Sequence, residues 1–160
     1  GVGNYGFFLH NRGCGFNLEQ KHPNFLKAGN KPLHTLSPTL WSKDDNLEFI
    51  IGTRGGRYQP QLLVQVILPY LLNLESFENI IKKPRWVIDY FGSNTSSKIK
   101  FEKISNNEIK ILKTKGHEVT NENEYRNAYG PISIIYKDKE ENYQGVADIR
   151  VGTEKVFNNL

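Results

Sequence analysis

The 160 residues carry 21 Lys and Arg against 17 Asp and Glu, a net charge of +4, and 38% of them are hydrophobic. This suits one ordinary globular domain with a real core, and a scattered lysine surplus without a recognition motif argues against a nucleic-acid binder. A single cysteine, Cys14, excludes an intrachain disulfide, and the longest apolar run, Leu62 to Leu72, is broken by Gln65 and Pro69 and is far short of a membrane span.

In chain order, Gly6 to His10 is a short apolar run before an Asn-Arg-Gly turn signal, which predicts a buried strand. Asn11 to Pro38 follows as a long irregular stretch punctuated by glycine and proline, and loops of that length tend to be functional. Thr39 to Trp41 and Leu47 to Ile51 read as a hairpin around Lys43 to Asn46. From Gln61 an almost all-round apolar pattern predicts a buried helix that Pro69 kinks or ends. A shorter helix is predicted over Glu75 to Lys82, stopped by Pro84. Strands are predicted over Arg85 to Tyr90 and Ile99 to Ile104, then a helix over Asn106 to Lys115 that Gly116 ends. Gly130 to Tyr136 and Tyr143 to Asp148 form a last hairpin. Hairpins alternating with packed helices predict an α+β layered fold, not a parallel doubly wound sheet, with residues 1–160 as a single partial domain. The chain opens Gly1-Val2-Gly3, as a processed, trimmed or partial product would.

Three places invite chemistry. The first is the strand-to-helix junction Gly55-Gly56, whose backbone N–H groups are suited to a developing negative charge, although a tight turn that simply needs glycine reads the same. The second is Asn11-Arg12-Gly13-Cys14-Gly15, where an arginine fork between glycines suits carboxylate capture and an ordinary turn arginine is the alternative. A thiol nucleophile built from Cys14 with His10 or His34 is disfavoured, because that spacing is unspecific. The third is Lys31 to Pro38, a proline-bounded extended stretch in which His34 and Thr35 either bind a substrate carboxylate or hydrogen-bond the loop to itself. The histidines at 10, 22, 34 and 117 lack metal-ligand spacing, and neither metal nor cofactor is implied.

Taken together and in order, the run HNRGCGFNLEQKHPNFLKAGNKPLHTLSPTLW, then GTRGGRYQPQLLVQV, KKPRW, GHEV and GVADIRVGT, resembles the small subunits of γ-glutamyltranspeptidases across nearly the whole chain. The resemblance implies an N-terminal-nucleophile hydrolase with a four-layer αββα sandwich, here partial and lacking its N-terminal strands. It implies a proenzyme that cleaves itself into a large and a small subunit. The new N-terminal threonine then attacks a γ-glutamyl or related amide, with its own α-amine as base. That threonine is expected upstream of Gly1, so the chain alone is expected to be inactive and to need the large subunit as partner.

Position by position, the resemblance makes Gly55 and Gly56 the oxyanion-hole glycines, and it places His34 and Thr35 where two serines often hold the substrate's α-carboxylate. Asn11 and Arg12 fall in the same substrate-binding group. Arg12 and Gly15 stand where typical transpeptidases have a glutamine and an aspartate that contact the α-amine. Without that carboxylate, an ammonium has no obvious partner. The expected preference therefore shifts towards acyl groups lacking the α-amine, such as glutaryl amides, as in an acylase-like branch of the family. A non-catalytic domain that keeps the fold is the alternative.

Overall fold

The computed structural model describes residues 4, 6, 9–89 and 98–151. They fall into two compact units, Gly1–Leu36 and Ser37–Leu160.

In the first unit no described residue is buried. Local turns hold it: the Cys14 N–H donates to Asn11 O at 3.1 Å and Phe16 N–H to Gly13 O at 3.1 Å, closing a 3-10 turn over Arg12–Gly15. An isolated parallel bridge joins Asn17 to Phe25. The irregular stretch expected from Asn11 onward is what forms. The strand expected at Gly6 to His10 rests on Phe7 and Phe8, outside the described residues, while Leu9 and His10 are irregular.

The second unit contains two sheets. β1 (Thr39–Lys43) and β2 (Asn46–Thr53) form the expected hairpin, and its turn places Asp44 and Asp45 at positive φ of 48° and 63°. β2 then pairs antiparallel with β6 (Ile132–Lys137), and β6 with β7 (Tyr143–Ala147), giving the order β1-β2-β6-β7. Alternation along these strands sends Phe49, Ile51, Ile132, Ile134 and Val146 to one face. There they meet Leu62, Leu63, Val66 and Ile67 of α1 (Gln59–Leu71) and Phe77 and Ile80 of the short α2 (Phe77–Ile80). Each such side chain contributes about 1.5–3 kcal/mol on burial. α1 begins two residues earlier than the apolar pattern alone suggested, since Pro60 suits a first helical turn. Pro69 sits in its last turn, and the helix stops at Leu71.

The second sheet is β3-β4-β5. β3 (Trp86–Asp89) pairs antiparallel with β4 (Lys98–Phe101), and β4 pairs parallel with β5 (Glu118–Asn121) across helix α3 (Asn106–Thr114). Ser105 and Glu108 close a capping box at the start of α3, satisfying two otherwise orphaned N–H groups. Tyr90 and the loop over 92–97 lie outside the described residues. The free edge of β3 does not face solvent unpaired. Gln61 accepts from Ile88 N–H at 2.7 Å and Gln65 accepts from Trp86 N–H at 3.0 Å. Their amides donate back to the same two residues' carbonyls, at 3.2 and 2.8 Å. Two glutamines one helical turn apart thus act as a substitute strand and tie α1 to the second sheet. The fold class is the expected α+β, with one parallel pair inside it.

Candidate functional site

β2 ends at Thr53, and the chain reaches α1 through Arg54, Gly55 and a 3-10 turn over Gly56–Tyr58. Gly55 takes φ 130° and ψ 10°, a conformation that side chains with a Cβ rarely adopt, and an added Cβ would sit 3.2 Å from Leu62 Cδ1. Gly56 follows at φ 57° and is exposed. Among the described residues, no hydrogen bond occupies the N–H of either glycine. Two such N–H groups at a strand-to-helix junction are donors without an internal acceptor, the physical requirement for holding a developing oxyanion.

The turn is braced from a distant part of the chain. Gly130, at φ 57°, lies so close that a Cβ there would meet Arg54 O at 1.9 Å and Thr53 Oγ1 at 2.5 Å. The Thr53 hydroxyl lies 2.8 Å from Arg54 O and 3.2 Å from Pro131 O. Arg54 Nη2 donates to Asn127 Oδ1 at 2.6 Å. Sequence reading passed over Gly130, although the Tyr-Gly-Pro run at 129–131 carries a turn signal.

Within the first unit, Arg12 Nη1 donates to Thr35 Oγ1, joining two of the expected substrate-binding residues across 23 positions. The Arg12 backbone N–H donates to His10 Nδ1 at 3.0 Å. Gly15 lies against the Leu33 backbone, where a Cβ would be 3.3 Å from Leu33 N, so the position lacks both a carboxylate and easy room for one. The Asn11 carbonyl closes the 3-10 turn. His34 is exposed, and no side-chain hydrogen bond engages it among the described residues. Cys14 is exposed within the turn.

Sequence reading also missed a buried ionic cluster. Arg85 (2% exposed), Glu102 (1%), Asp148 (1%) and Arg150 (6%) come from the KKPRW and GVADIRVGT blocks and from the end of β4. Arg85 Nη2 meets Asp148 Oδ2 at 2.5 Å, while Arg150 pairs with Glu102 and reaches Asp148 Oδ1 at 3.1 Å. Further contacts go to backbone: Arg85 donates to Tyr129 O at 2.9 Å, Arg150 to Ile81 O at 3.0 Å, and Asp148 accepts from Ile132 N–H at 2.9 Å, while the buried Arg85 Nε has no hydrogen-bond partner among the described residues. Burial lowers the Arg85 pKa despite Asp148; at Arg150 burial also pulls down, but Glu102 and Asp148 outweigh it and the net shift is upward. Two cations and two anions paired in this way clamp β6, the end of β7 and the Tyr129–Gly130 segment, and that segment is the brace of the glycine turn. Gly152 and Thr153 of the last sequence block lie outside the described residues.

Among the described residues, no group of three or more His, Cys, Asp or Glu is arranged to hold a metal ion. No helix among them is long and apolar enough to cross a membrane.

The family model described as Gamma-glutamyltranspeptidase matches residues 2–157. The chain belongs to the γ-glutamyltranspeptidase family. It is 32% identical over 150 residues to the glutathione hydrolase-like YwrD proenzyme of Bacillus subtilis, covering 93% of this chain and 29% of that protein. It is 28% identical over 146 residues to the oxamate amidohydrolase proenzyme of Klebsiella pneumoniae, covering 91% and 28%. It thus spans under a third of the length of both curated relatives. Among solved structures, the cephalosporin acylase of Bacillus halodurans matches at 27% identity with a TM-score of 0.72, over 88% of this chain and 25% of that one. The fold is therefore that of the family's N-terminal-nucleophile hydrolases, with transpeptidases and acylase-like members both among the neighbours.

Proposed function

We propose that the chain is part of an amidohydrolase, that Gly55 and Gly56 are its oxyanion turn, and that Arg12 and Thr35 belong to the wall that binds an acyl group carrying a carboxylate and no α-amine. The observation that carries this reading is the Arg12–Thr35 contact, with glycine at position 15. A guanidinium steadied by a hydroxyl offers further N–H donors to a carboxylate, and among the described residues no carboxylate pairs with it. Asn11 and His34 belong to the same wall, and residues 1–160 are read as a single partial domain of the complete protein.

In this reading the nucleophile is the family's N-terminal threonine, supplied from outside these 160 residues. Its hydroxyl oxygen attacks the amide carbon and its proton passes to the α-amine. The carbonyl electrons move to the oxygen, which the Gly55 and Gly56 N–H groups hold. Collapse expels the amine, which takes the proton, and leaves an acyl ester that water or an acceptor amine cleaves in the same way. The large subunit of the same proenzyme supplies the rest of the pocket, and this chain alone is inactive. The proenzyme relatives and the acylase likeness support this reading.

The test compares turnover of glutaryl and γ-glutamyl 4-nitroanilides by the complete, processed protein. A glutaryl preference is expected, and a strong γ-glutamyl preference overturns it. A complete protein that cleaves neither favours the non-catalytic alternative.

A further inference from the structure

We propose that Arg54 is a specificity-determining residue that binds a carboxylate of the substrate beside the oxyanion turn, a role that rests on the amidohydrolase reading above. Arginine 54 immediately precedes the glycine pair, and it is fixed at both ends. Its carbonyl is pressed by Gly130 and lies 2.8 Å from the Thr53 hydroxyl, and its guanidinium donates to Asn127 Oδ1 at 2.6 Å, 73 residues away in the chain. An arginine that merely solubilises a surface has no need of either restraint.

Its charge has no anionic partner among the described residues. Arg85, Arg126 and Arg150 each pair with a carboxylate. Arg54 is exposed and takes a neutral amide oxygen, and no ion pair engages it among the described residues. The amide uses one of the five N–H donors, leaving the rest of the fork and the full positive charge facing outward. A cation held in place in advance loses little freedom when an anion arrives, so it binds better than a mobile one. The chemistry that fits is a carboxylate, borne either by the acyl part or by the departing amine.

The experiment uses the complete processed protein as wild type, Arg54→Gln and Arg54→Lys, with Lys139→Gln on the β6–β7 turn as the charge-matched control. Four anilides are compared: butyryl and glutaryl acyl groups, each on 4-nitroaniline and on 3-carboxy-4-nitroaniline. The expected result is a kcat/KM about 10-fold lower for Arg54→Gln on substrates whose carboxylate Arg54 reads, the effect of losing one charge-assisted contact. Partial recovery is expected in Arg54→Lys, and less than about 3-fold change on substrates lacking that carboxylate. A loss confined to the glutaryl pair assigns the acyl carboxylate, and one confined to the carboxyanilides assigns the amine side. An equal loss on all four substrates, or none, overturns the proposal while leaving the amidohydrolase reading intact. A wild type that cleaves no anilide overturns both.

Discussion

The two units of this chain are built on opposite principles. The first has no buried residue among those described and is held by turns, one bridge and a few side-chain contacts. The second packs one face of α1 into an apolar core, leaving Val64, Leu68 and Leu71 exposed on the other, and adds a buried four-charge cluster that holds the Tyr129–Gly130 brace. Residues in the first contribute no buried side chain to a core, which agrees with the acyl-binding role proposed for Arg12 and Thr35. Residues in the second hold donors in place, a task that tolerates little movement. Mutations should therefore separate: changes in the second unit's core and charge cluster cost stability, while changes in the first leave stability nearly untouched.

The harshest break is Arg150→Met. It leaves Glu102 and Asp148 buried with one cation between them, and a loss of about 3–5 kcal/mol is expected, read as a lowered urea midpoint. Gly130→Ala comes next. Its Cβ has no room against Arg54 O, so the glycine turn must shift, with kcat about 100-fold lower in the complete enzyme. A variant that kept both its kcat and its melting temperature would refute the brace. Thr35→Val should do the reverse: selectivity for the acyl carboxylate falls about 10-fold in kcat/KM while stability stays within about 0.5 kcal/mol.

The smallest effect expected is with pH. Burial raises the Tyr129 hydroxyl to about 12. An unfolded tyrosine ionises near its ordinary value of 10.0, so above that pH the folded state holds the proton that the unfolded state releases. The contribution is complete below pH 10 and falls away up to about 12. Tyr129→Phe should flatten, without abolishing, the decline in melting temperature over that window, because burial and Glu78 also raise Tyr136.

What could be read from the sequence was local. The β1–β2 hairpin, the helix after the glycines, α3 with its Gly116 stop, and the β6–β7 hairpin all follow from turn residues and apolar period within short windows, although α1 is buried on one face only and leaves Val64, Leu68 and Leu71 exposed. The strand β5 escaped because its four residues gain order only by lying parallel to β4 across α3. α2 is shorter than its pattern suggested, only Phe77–Ile80 being helical. The glycine pair was legible as a candidate because glycine at a strand-to-helix junction is a backbone signal. Arg12 with Thr35 became legible through the family resemblance.

The sequence by itself determined most of the element types, the family and the oxyanion candidate, since each depends on near neighbours or on ordered blocks. Only the tertiary structure decided that Arg85, Glu102, Asp148 and Arg150 form one neutral cluster, that two glutamines of α1 complete the β3 edge, and that Gly130 and Asn127 brace Arg54. The Gln65–Trp86 and Arg54–Asn127 contacts, for example, span 21 and 73 positions. A charge or an amide signals nothing about its partner until the chain has folded it out of water, where leaving it unpaired would cost several kcal/mol.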